Sequence, residues 1–217
     1  MALFKDRVDA GEKLAWELGA TRDLRGQGTI VLGLPRGGVP VAAAVARQLG
    51  APLDALVVRK LGHPDQPELA IGAVALGGHL FRNDEIIRES SLSDAEVQGI
   101  AKRELRELDR RAIAYRGGRP PLDLAGKQAV LVDDGLATGA TMRAAIRSAR
   151  AHGASRVTVA VPVAAADARA TIEAEADDFV CLAEPVDFLS VGSWYSDFGQ
   201  VTDEEVRELM AEHEVSP

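Results

Sequence analysis

The sequence predicts an α/β protein in which helices cover both faces of a parallel, Rossmann-like sheet. Short apolar runs rich in β-branched residues alternate with segments whose apolar residues recur every three or four positions. Such alternation, joined by right-handed crossovers, makes the strands parallel and places helices on either face. The 217 residues, 47% of them hydrophobic, are enough for one such core and a small addition.

The first sixty residues predict two helices that alternate with two strands. Residues 4–18 place apolar side chains on one helical stripe and most charged ones off it. Residues 29–34 are an apolar run that predicts the first core strand. An apolar helix over 41–49 and a second strand over 53–58 follow it.

The middle of the chain predicts a loop, a strand pair and a long helix. Residues 61–69 are largely polar and are interrupted by glycine and proline, which predicts a loop. Residues 70–76 and 78–82 predict two strands joined by a glycine turn. The capping box Ser93–Asp94–Ala95–Glu96 begins a helix that runs to about Arg116.

The second half continues the alternation of strands and helices. Residues 128–132 predict a buried parallel strand, and apolar residues from Met142 onward recur at helical spacing. Residues 156–162 and 178–182 predict two more strands, on either side of a helix over about 165–176. Ligands of such sheets bind at the carboxyl ends of the strands, so the loops that leave those ends are the candidate site.

Composition excludes several classes of function. The net charge of −8 argues against non-specific binding to nucleic acid. The single cysteine, Cys181, excludes an internal disulfide and a multi-cysteine zinc site, and its apolar neighbours predict an inert thiol. No apolar run approaches the ~20 residues of a membrane span, and the charged residues 5–7 do not fit a signal peptide. We therefore expect a cytoplasmic protein with neither membrane nor nucleic-acid partners.

The most informative stretch follows the strand at 128–132. Asp133 and Asp134 stand where that strand would leave the sheet, and the small-residue loop 137–141 precedes the next helix. The first N–H groups of a helix have no partner within it and favour an anion, so this loop predicts a phosphate cradle. Because like charges repel, the two acids suit the vicinal hydroxyls of a sugar and a nearby divalent cation instead.

This stretch resembles the signature of the type I phosphoribosyltransferases: an apolar strand, two acids, two mostly apolar residues, then Ala/Asp–Thr–Gly–x–Thr. The match is unbroken from Val130 to Met142, and nearly the whole chain resembles a group of bacterial members with unassigned acceptor. It is not a P-loop, because Ala140 stands where that motif needs lysine. The resemblance implies that 5-phosphoribosyl pyrophosphate (PRPP) is bound there. The residues it assigns to PRPP in this stretch are Asp133, Asp134, Gly135, Ala137, Thr138, Gly139, Ala140 and Thr141.

A second loop, after the first predicted strand, carries charge suited to an anion. Arg36 lies between Pro35 and the pair Gly37–Gly38, and so offers a guanidinium beside open backbone N–H groups. A tight turn with a solvated arginine fits these residues equally well, whereas the resemblance implies the pyrophosphate loop of the family. Arg59 and Lys60 end the next predicted strand, where they could meet the same pyrophosphate or form an exposed charged rim.

The segment 184–200, which we call the hood segment, holds four of the nine aromatic residues. The family carries such a hood over the acceptor, which implies that Trp194 or Tyr195 stacks on a planar heterocycle. Aromatic residues that seal the sheet edge or a dimer interface fit the segment equally well, which leaves a homodimer open. A capping signature just beyond the segment predicts an outer helix. The predicted division is a PRPP-binding core over 1–183 and the hood with that helix over 184–217.

The resemblance implies that an acceptor nitrogen displaces pyrophosphate from Mg²⁺-bound PRPP, through a transition state of oxocarbenium character. Asp133 and Asp134 would hold the ribose and the metal, and Arg36 would stabilise the leaving group. The loop 61–69 would close over the site and exclude water. With alanine at position 137, the motif resembles that of the adenine branch of the family more than that of the hypoxanthine/guanine branch. The rest of the chain leaves the acceptor open. The alternative is a non-catalytic PRPP- or nucleotide-sensing protein on the same fold.

Overall fold

The structure is a computed structural model whose described residues are 2–21, 24, 28–66, 69–117, 119 and 122–213. They form a five-stranded sheet and a separate three-stranded sheet, with helices around both. The strands are β1 (Thr29–Gly33), β2 (Leu53–Ala55), β3 (Val58–Gly62), β4 (Ala70–Ala75), β5 (His79–Arg82), β6 (Gln128–Val132), β7 (Arg156–Val163) and β8 (Asp178–Ala183). The helices are α1 (Arg7–Thr21), α2 (Gly38–Leu49), α3 (Asp84–Glu89), α4 (Asp94–Arg116), α5 (Ala140–Ala151), α6 (Ala166–Glu173) and α7 (Asp203–Glu212).

The five-stranded sheet is parallel throughout, in the order β2–β1–β6–β7–β8. Alternate residues of each strand bury their side chains on opposite faces. Val31 and Val130 belong to a core shared with α1, α2, α4 and α7. Leu32 and Leu131 belong to a second core shared with α5 and α6. The predicted fold class, a parallel sheet with helices on both faces, is therefore confirmed.

The strand predicted over 53–58 is confirmed only over Leu53–Ala55, because the chain leaves the first sheet after Ala55. Leu56 and Val57 lie between β2 and β3 and are buried in the two different cores, so the apolar run continues through the bend. Periodicity cannot detect a strand end whose flanking residues are all buried. Arg59 and Lys60 consequently lie inside β3 rather than at the end of a core strand.

The three-stranded sheet is antiparallel, in the order β3–β4–β5, and lies against α4 and α5. The predicted strand pair corresponds to β4 and β5, joined by a 3₁₀ turn at Leu76–Gly78 in which Gly77 has a φ of 80°. The loop predicted over 61–69 begins at residue 63 in the structure, because Leu61 and Gly62 complete β3. Residues 67 and 68 of that range lie outside the described residues. Helix α3, capped by Asn83, was not predicted.

The hood segment packs against the beginning of the described chain. Its regular structure is a 3₁₀ turn at Val191–Trp194, after which Tyr195 forms an isolated parallel bridge with Phe4. Both residues share a small hydrophobic cluster with Ala10 and Val163. Beyond the segment, α7 begins with a capping box and packs against α4 and α2. The hood segment thus closes the end of the sheet where β7 finishes.

Candidate active site

Two loops leave neighbouring strands at the carboxyl edge of the large sheet. Strands β1 and β6 are paired along their length, with Gly33 opposite Val132, and the Leu34 N–H donates to the Val132 carbonyl at 2.9 Å. Residues 34–37 then lead into α2, and residues 133–139 lead into α5. The pairing of the strands therefore sets both predicted anion loops side by side.

The loop after β1 lies directly on the two acids of the loop after β6. A Cβ atom on Gly37 would overlap Asp134 Oδ2, and one on Gly38 would lie 2.6 Å from the Val132 carbonyl oxygen and 2.8 Å from the Asp133 Cα. Only glycine allows the backbone to approach this closely. The peptide bond between Pro35 and Arg36, the two residues before this pair, is cis.

The two acids occupy a largely buried position. The Asp134 N–H donates to Asp133 Oδ1 at 2.9 Å. Burial raises the pKa of Asp133 well above its usual value, and the neighbouring Asp134 carboxylate raises it further. Burial also raises the pKa of Asp134, while a hydrogen bond from Arg7 opposes that rise. The acid pair is thus short of solvation and suited to a ligand that brings hydroxyl donors or positive charge.

Arg7 is a site residue that sequence reasoning missed. Its Nε donates to Asp134 Oδ2 at 2.9 Å, and its other arm donates to the Gly199 carbonyl at 2.8 Å. Its guanidinium carbon lies 3.8 Å from the centroid of the Phe198 ring. In the sequence it is one more charge on an amphipathic helix, and nothing near it signals a partner 127 residues away.

The loop after the acids is open. Ala137, Thr138 and Thr141 are exposed, and Gly139, with a φ of 72°, is the N-cap of α5. No side chain of the described residues caps this helix start, so its first backbone N–H groups remain available to an anion. Gly135, just after the acids, packs closely against the hood segment. A Cβ atom on Gly135 would lie 2.6 Å from a Val191 methyl group.

Arg36 is present at this edge but is already engaged. Its guanidinium lies 3.6 Å from an Asp203 carboxylate oxygen at the start of α7, and that oxygen also accepts a 2.8 Å hydrogen bond from Tyr115. The Arg36 side chain is about one third exposed, so the pair with Asp203 is partly screened by solvent. Arg36 can therefore exchange this partner for a bound anion.

The structure does not bring Arg59 to the end of a core strand. Its guanidinium makes hydrogen bonds of 2.8 and 2.6 Å to Glu104 of α4. Lys60 lies next to it in β3, opposite Ala73. Both residues lie within the antiparallel sheet, and their contact with pyrophosphate stays a prediction. The prediction assumed a continuous core strand, and the chain bends before it reaches them.

The two aromatic residues predicted to stack on an acceptor differ in their surroundings. Tyr195 is 6% exposed, with its ring between Phe4 and Phe198, and its hydroxyl donates to the Asp134 carbonyl at 2.6 Å. A ring so covered has no face for a heterocycle, so Tyr195 supports the acid pair instead. Trp194 is half-buried, and its Nε1 has no hydrogen-bond partner among the described residues.

The donor set fits magnesium bound mainly through substrate. Within the described residues, no group of three or more His, Cys, Asp or Glu side chains could hold a metal ion. Mg²⁺ commonly takes one or two carboxylates and completes its octahedron with water and substrate phosphates. Asp133 and Asp134 offer such a pair of hard oxygen donors.

No helix in the described part of the chain has the length and apolar character needed to cross a bilayer.

Comparison with known proteins identifies relatives over nearly the whole chain. A Mycobacterium tuberculosis protein named "Putative phosphoribosyl transferase" is 51% identical over 206 residues, which are 95% of this chain and 46% of that protein. The chain thus spans about half the length of this curated relative. The solved structure of TT1426 from Thermus thermophilus is 44% identical, with a TM-score of 0.86 over 98% of this chain and 99% of that one.

More distant solved structures share the fold alone. A hypothetical protein from Neisseria gonorrhoeae, solved with bound ppGpp, has a TM-score of 0.52 at 12% identity, covering 97% of this chain and 96% of that one. The model of the phosphoribosyl transferase domain family matches residues 4–192, from the start of the Phe4–Tyr195 cluster through both loops and into the hood segment. The chain therefore belongs to the phosphoribosyl transferase domain family.

Proposed function

We propose that this domain binds Mg²⁺-PRPP and transfers its 5-phosphoribosyl group to a nitrogen acceptor, with release of pyrophosphate. One observation carries the proposal: the Gly37–Gly38 backbone lies directly against Asp133 and Asp134. A ribose on the acids would then have its C1 beside the loop that receives the leaving pyrophosphate. The bond to be broken would lie where the two loops meet.

Each part of the edge has a role in this proposal. Asp133 and Asp134 accept hydrogen bonds from the ribose hydroxyls and hold the metal, which when bound neutralises charge on the pyrophosphate. The open start of α5, with the hydroxyls of Thr138 and Thr141, anchors the 5-phosphate. This anchor supplies binding energy away from the reacting carbon. Arg36 releases Asp203 and stabilises the departing pyrophosphate.

The acceptor would approach the ribose from the side of the hood segment. We propose a nucleobase-like heterocycle, held beside the hood segment, with Trp194 as the remaining aromatic candidate. We also propose a division into a core over 1–183 and a hood over 184–217, with closure of residues 61–69 over the bound substrate. A cytoplasmic location and a homodimer are further parts of the proposal. Because the curated relative is about twice as long as this chain, the proposal concerns this domain and not a longer protein.

A second candidate function is a PRPP- or nucleotide-sensing domain without catalysis. The observation that favours it is the engagement of both key charges by the protein itself, Arg36 by Asp203 and Asp134 by Arg7. A sensor needs only that a ligand displaces such contacts. A transferase must in addition release pyrophosphate, so product formation separates the two.

The test is titration calorimetry of PRPP with Mg²⁺, followed by a screen of purines, pyrimidines and other nitrogen acceptors for pyrophosphate release. We expect saturable binding, release with at least one acceptor, and loss of both when Asp133→Asn and Asp134→Asn are combined. Glu173→Gln, which removes an exposed ion pair with Arg169 on α6, is the matched control. Binding without release by any acceptor supports the sensor, and absence of binding by the wild type refutes both functions.

A further inference from the structure

Arg7 connects three parts of the molecule that are far apart in sequence. It begins α1, its Nε holds Asp134 Oδ2 at 2.9 Å, and a second nitrogen holds the Gly199 carbonyl at 2.8 Å. Its guanidinium also covers the Phe198 ring. The Arg7 and Asp134 side chains are only 12% and 16% exposed, so solvent screens their ion pair far less than a surface pair.

The Asp134 carboxylate is confined by this contact. Oδ2 lies between the Arg7 Nε and the Gly37 backbone, where not even a methyl group would fit. A carboxylate held on one oxygen presents the other in one direction, which is the usual way that a neighbouring donor orients a ligating acid. Arg7 also places a positive charge beside two adjacent buried carboxylates, which would otherwise repel each other.

The same arginine joins this carboxylate to the end of the hood segment. Tyr195 contacts Asp134 directly, through its hydroxyl and the Asp134 carbonyl. Gly199 is joined to Asp134 through Arg7, and Phe198 is joined to it through Arg7 and through the Tyr195 ring. A planar guanidinium directs donors to a carboxylate and a carbonyl at fixed angles while its face covers an aromatic ring, whereas a lysine ammonium is a compact point charge without that rigid fork.

We propose that Arg7 is a positioning residue that fixes the Asp134 carboxylate for the ribose and couples occupancy of that site to the order of residues 195–199. The inference rests on the proposed function, since it assumes that PRPP binds at the acids. In this role, Arg7 contacts neither the substrate nor the reacting atoms. Binding of the ribose tightens the Arg7 contacts, and the hood segment is held more firmly as a result.

The experiment compares wild type, Arg7→Gln, Arg7→Lys and the control Lys13→Gln. Lys13 lies on the same helix and forms its partly exposed ion pair with Asp9, at 2.8 Å, and not with Asp134. Titration calorimetry measures the Kd for Mg²⁺-PRPP and for inorganic pyrophosphate. Hydrogen exchange then measures protection of the amides of residues 195–199 with and without saturating Mg²⁺-PRPP.

We expect Arg7→Gln to weaken Mg²⁺-PRPP binding about tenfold or more, as for a lost hydrogen bond to a charged group, and to leave the pyrophosphate Kd within about twofold. At saturation, the wild type gains protection over 195–199 and Arg7→Gln does not. Arg7→Lys retains the charge but lacks the planar fork that spans both partners, so we expect it to recover part of the affinity without the ligand-dependent protection. Lys13→Gln behaves as wild type in both measurements.

The outcomes separate this inference from the function on which it rests. If the wild type binds Mg²⁺-PRPP and Arg7→Gln matches it, the positioning role is wrong and the proposed function stands. Equal weakening of both ligands would also overturn the inference, because it indicates general destabilisation. If Arg7→Gln does not fold, Arg7→Lys decides, and wild-type affinity with wild-type protection overturns the inference. A wild type that does not bind Mg²⁺-PRPP overturns both.

Discussion

The two loops at the carboxyl edge of the sheet follow neighbouring strands and lead into helices, but their surroundings are opposite. The loop after β1 is closed by protein contacts, with Gly38 against the backbone of β6 and Arg36 against Asp203. The loop after β6 ends in exposed residues, Ala137 and Thr138, and a helix start that no described side chain caps.

The difference shows two ways of making an anion site. In the first loop, the shape is imposed by contact with the acids, so the glycines there are needed for space. In the second, the shape depends on the positive φ of Gly139, and the donors at the helix start are left uncapped by the described side chains. We therefore expect substitution of the glycines in the first loop to affect folding, and substitution of the exposed residues in the second to affect ligand binding.

The largest expected effect on stability is that of Gly38→Ala. The added methyl group would lie 2.6 Å from the Val132 carbonyl oxygen and 2.8 Å from the Asp133 Cα, and backbone atoms cannot move aside as a side-chain end can. Overpacking of this kind costs about 1–3 kcal/mol. Urea unfolding measures the loss. Gly99→Ala, in α4 with no atom near the new methyl group, is the control and should not destabilise.

The next effect distinguishes the two loops by their ligands. Arg36→Ala should weaken pyrophosphate binding roughly tenfold or more and change ribose 5-phosphate binding little, because a hydrogen bond to a charged group contributes about 1.5–3 kcal/mol. Thr138→Ala should do the reverse, since its exposed hydroxyl lies in the loop that we assign to the 5-phosphate. Calorimetry with each ligand measures both. Equal losses of the two ligands in either variant would remove the assignment of separate loops.

A smaller effect tests whether Asp203 competes with pyrophosphate for Arg36 in the loop after β1. Asp203→Asn removes the charge that holds Arg36 at 3.6 Å, and Asp203 is 42% exposed. A pair of this exposure contributes up to about 1 kcal/mol, so pyrophosphate should bind at most about fivefold more tightly. Weaker binding would show that Asp203 orients Arg36 for the anion rather than withholding it.

The last prediction gives a reference for the integrity of the whole sheet and not for ligand binding. Cys181 lies in β8, and burial raises the pKa of its thiol to about 11, from 9.0. At pH 8 the reactive thiolate is therefore about a hundredfold scarcer than in the unfolded chain. Iodoacetamide labelling should be correspondingly slow and should accelerate as the pH rises toward that value. Rapid labelling of a loop variant at pH 8 would show that its substitution has opened the sheet.

Sequence patterns predicted the parallel sheet well, because its strands are short buried runs between helical repeats. They failed where the chain changes sheets without exposing a residue, at Leu56 and Val57. They also missed the six-residue helix α3, which is too short to develop a period. The second sheet therefore could not be foreseen as a unit, although strands β4 and β5 and the glycine turn between them were largely predicted.

The candidate site was predicted to the extent that its chemistry is local. The acids, the small-residue loop and the Arg36 loop each lie within a few positions of a strand end, so motif and topology locate them together. Arg7 and Asp203 reach the site from other parts of the fold, and no sequence spacing encodes such a contact. The aromatic ring of Tyr195 predicts stacking on an acceptor, but burial of that ring gives the hydroxyl the larger role.

The contacts made by residues 195–203 have a consequence for the order of events during synthesis. The chain emerges from the ribosome from its amino end, so the amino-terminal parts of the fold are available for contacts first. Strands β1 and β6 with both loops precede residue 140, whereas the partners of Asp134, Arg7 and Arg36 in this segment come more than fifty residues later. A nascent chain can thus build its sheet before the acids are fully supported. We expect stalled chains that lack 195–203 to be compact yet unable to bind PRPP.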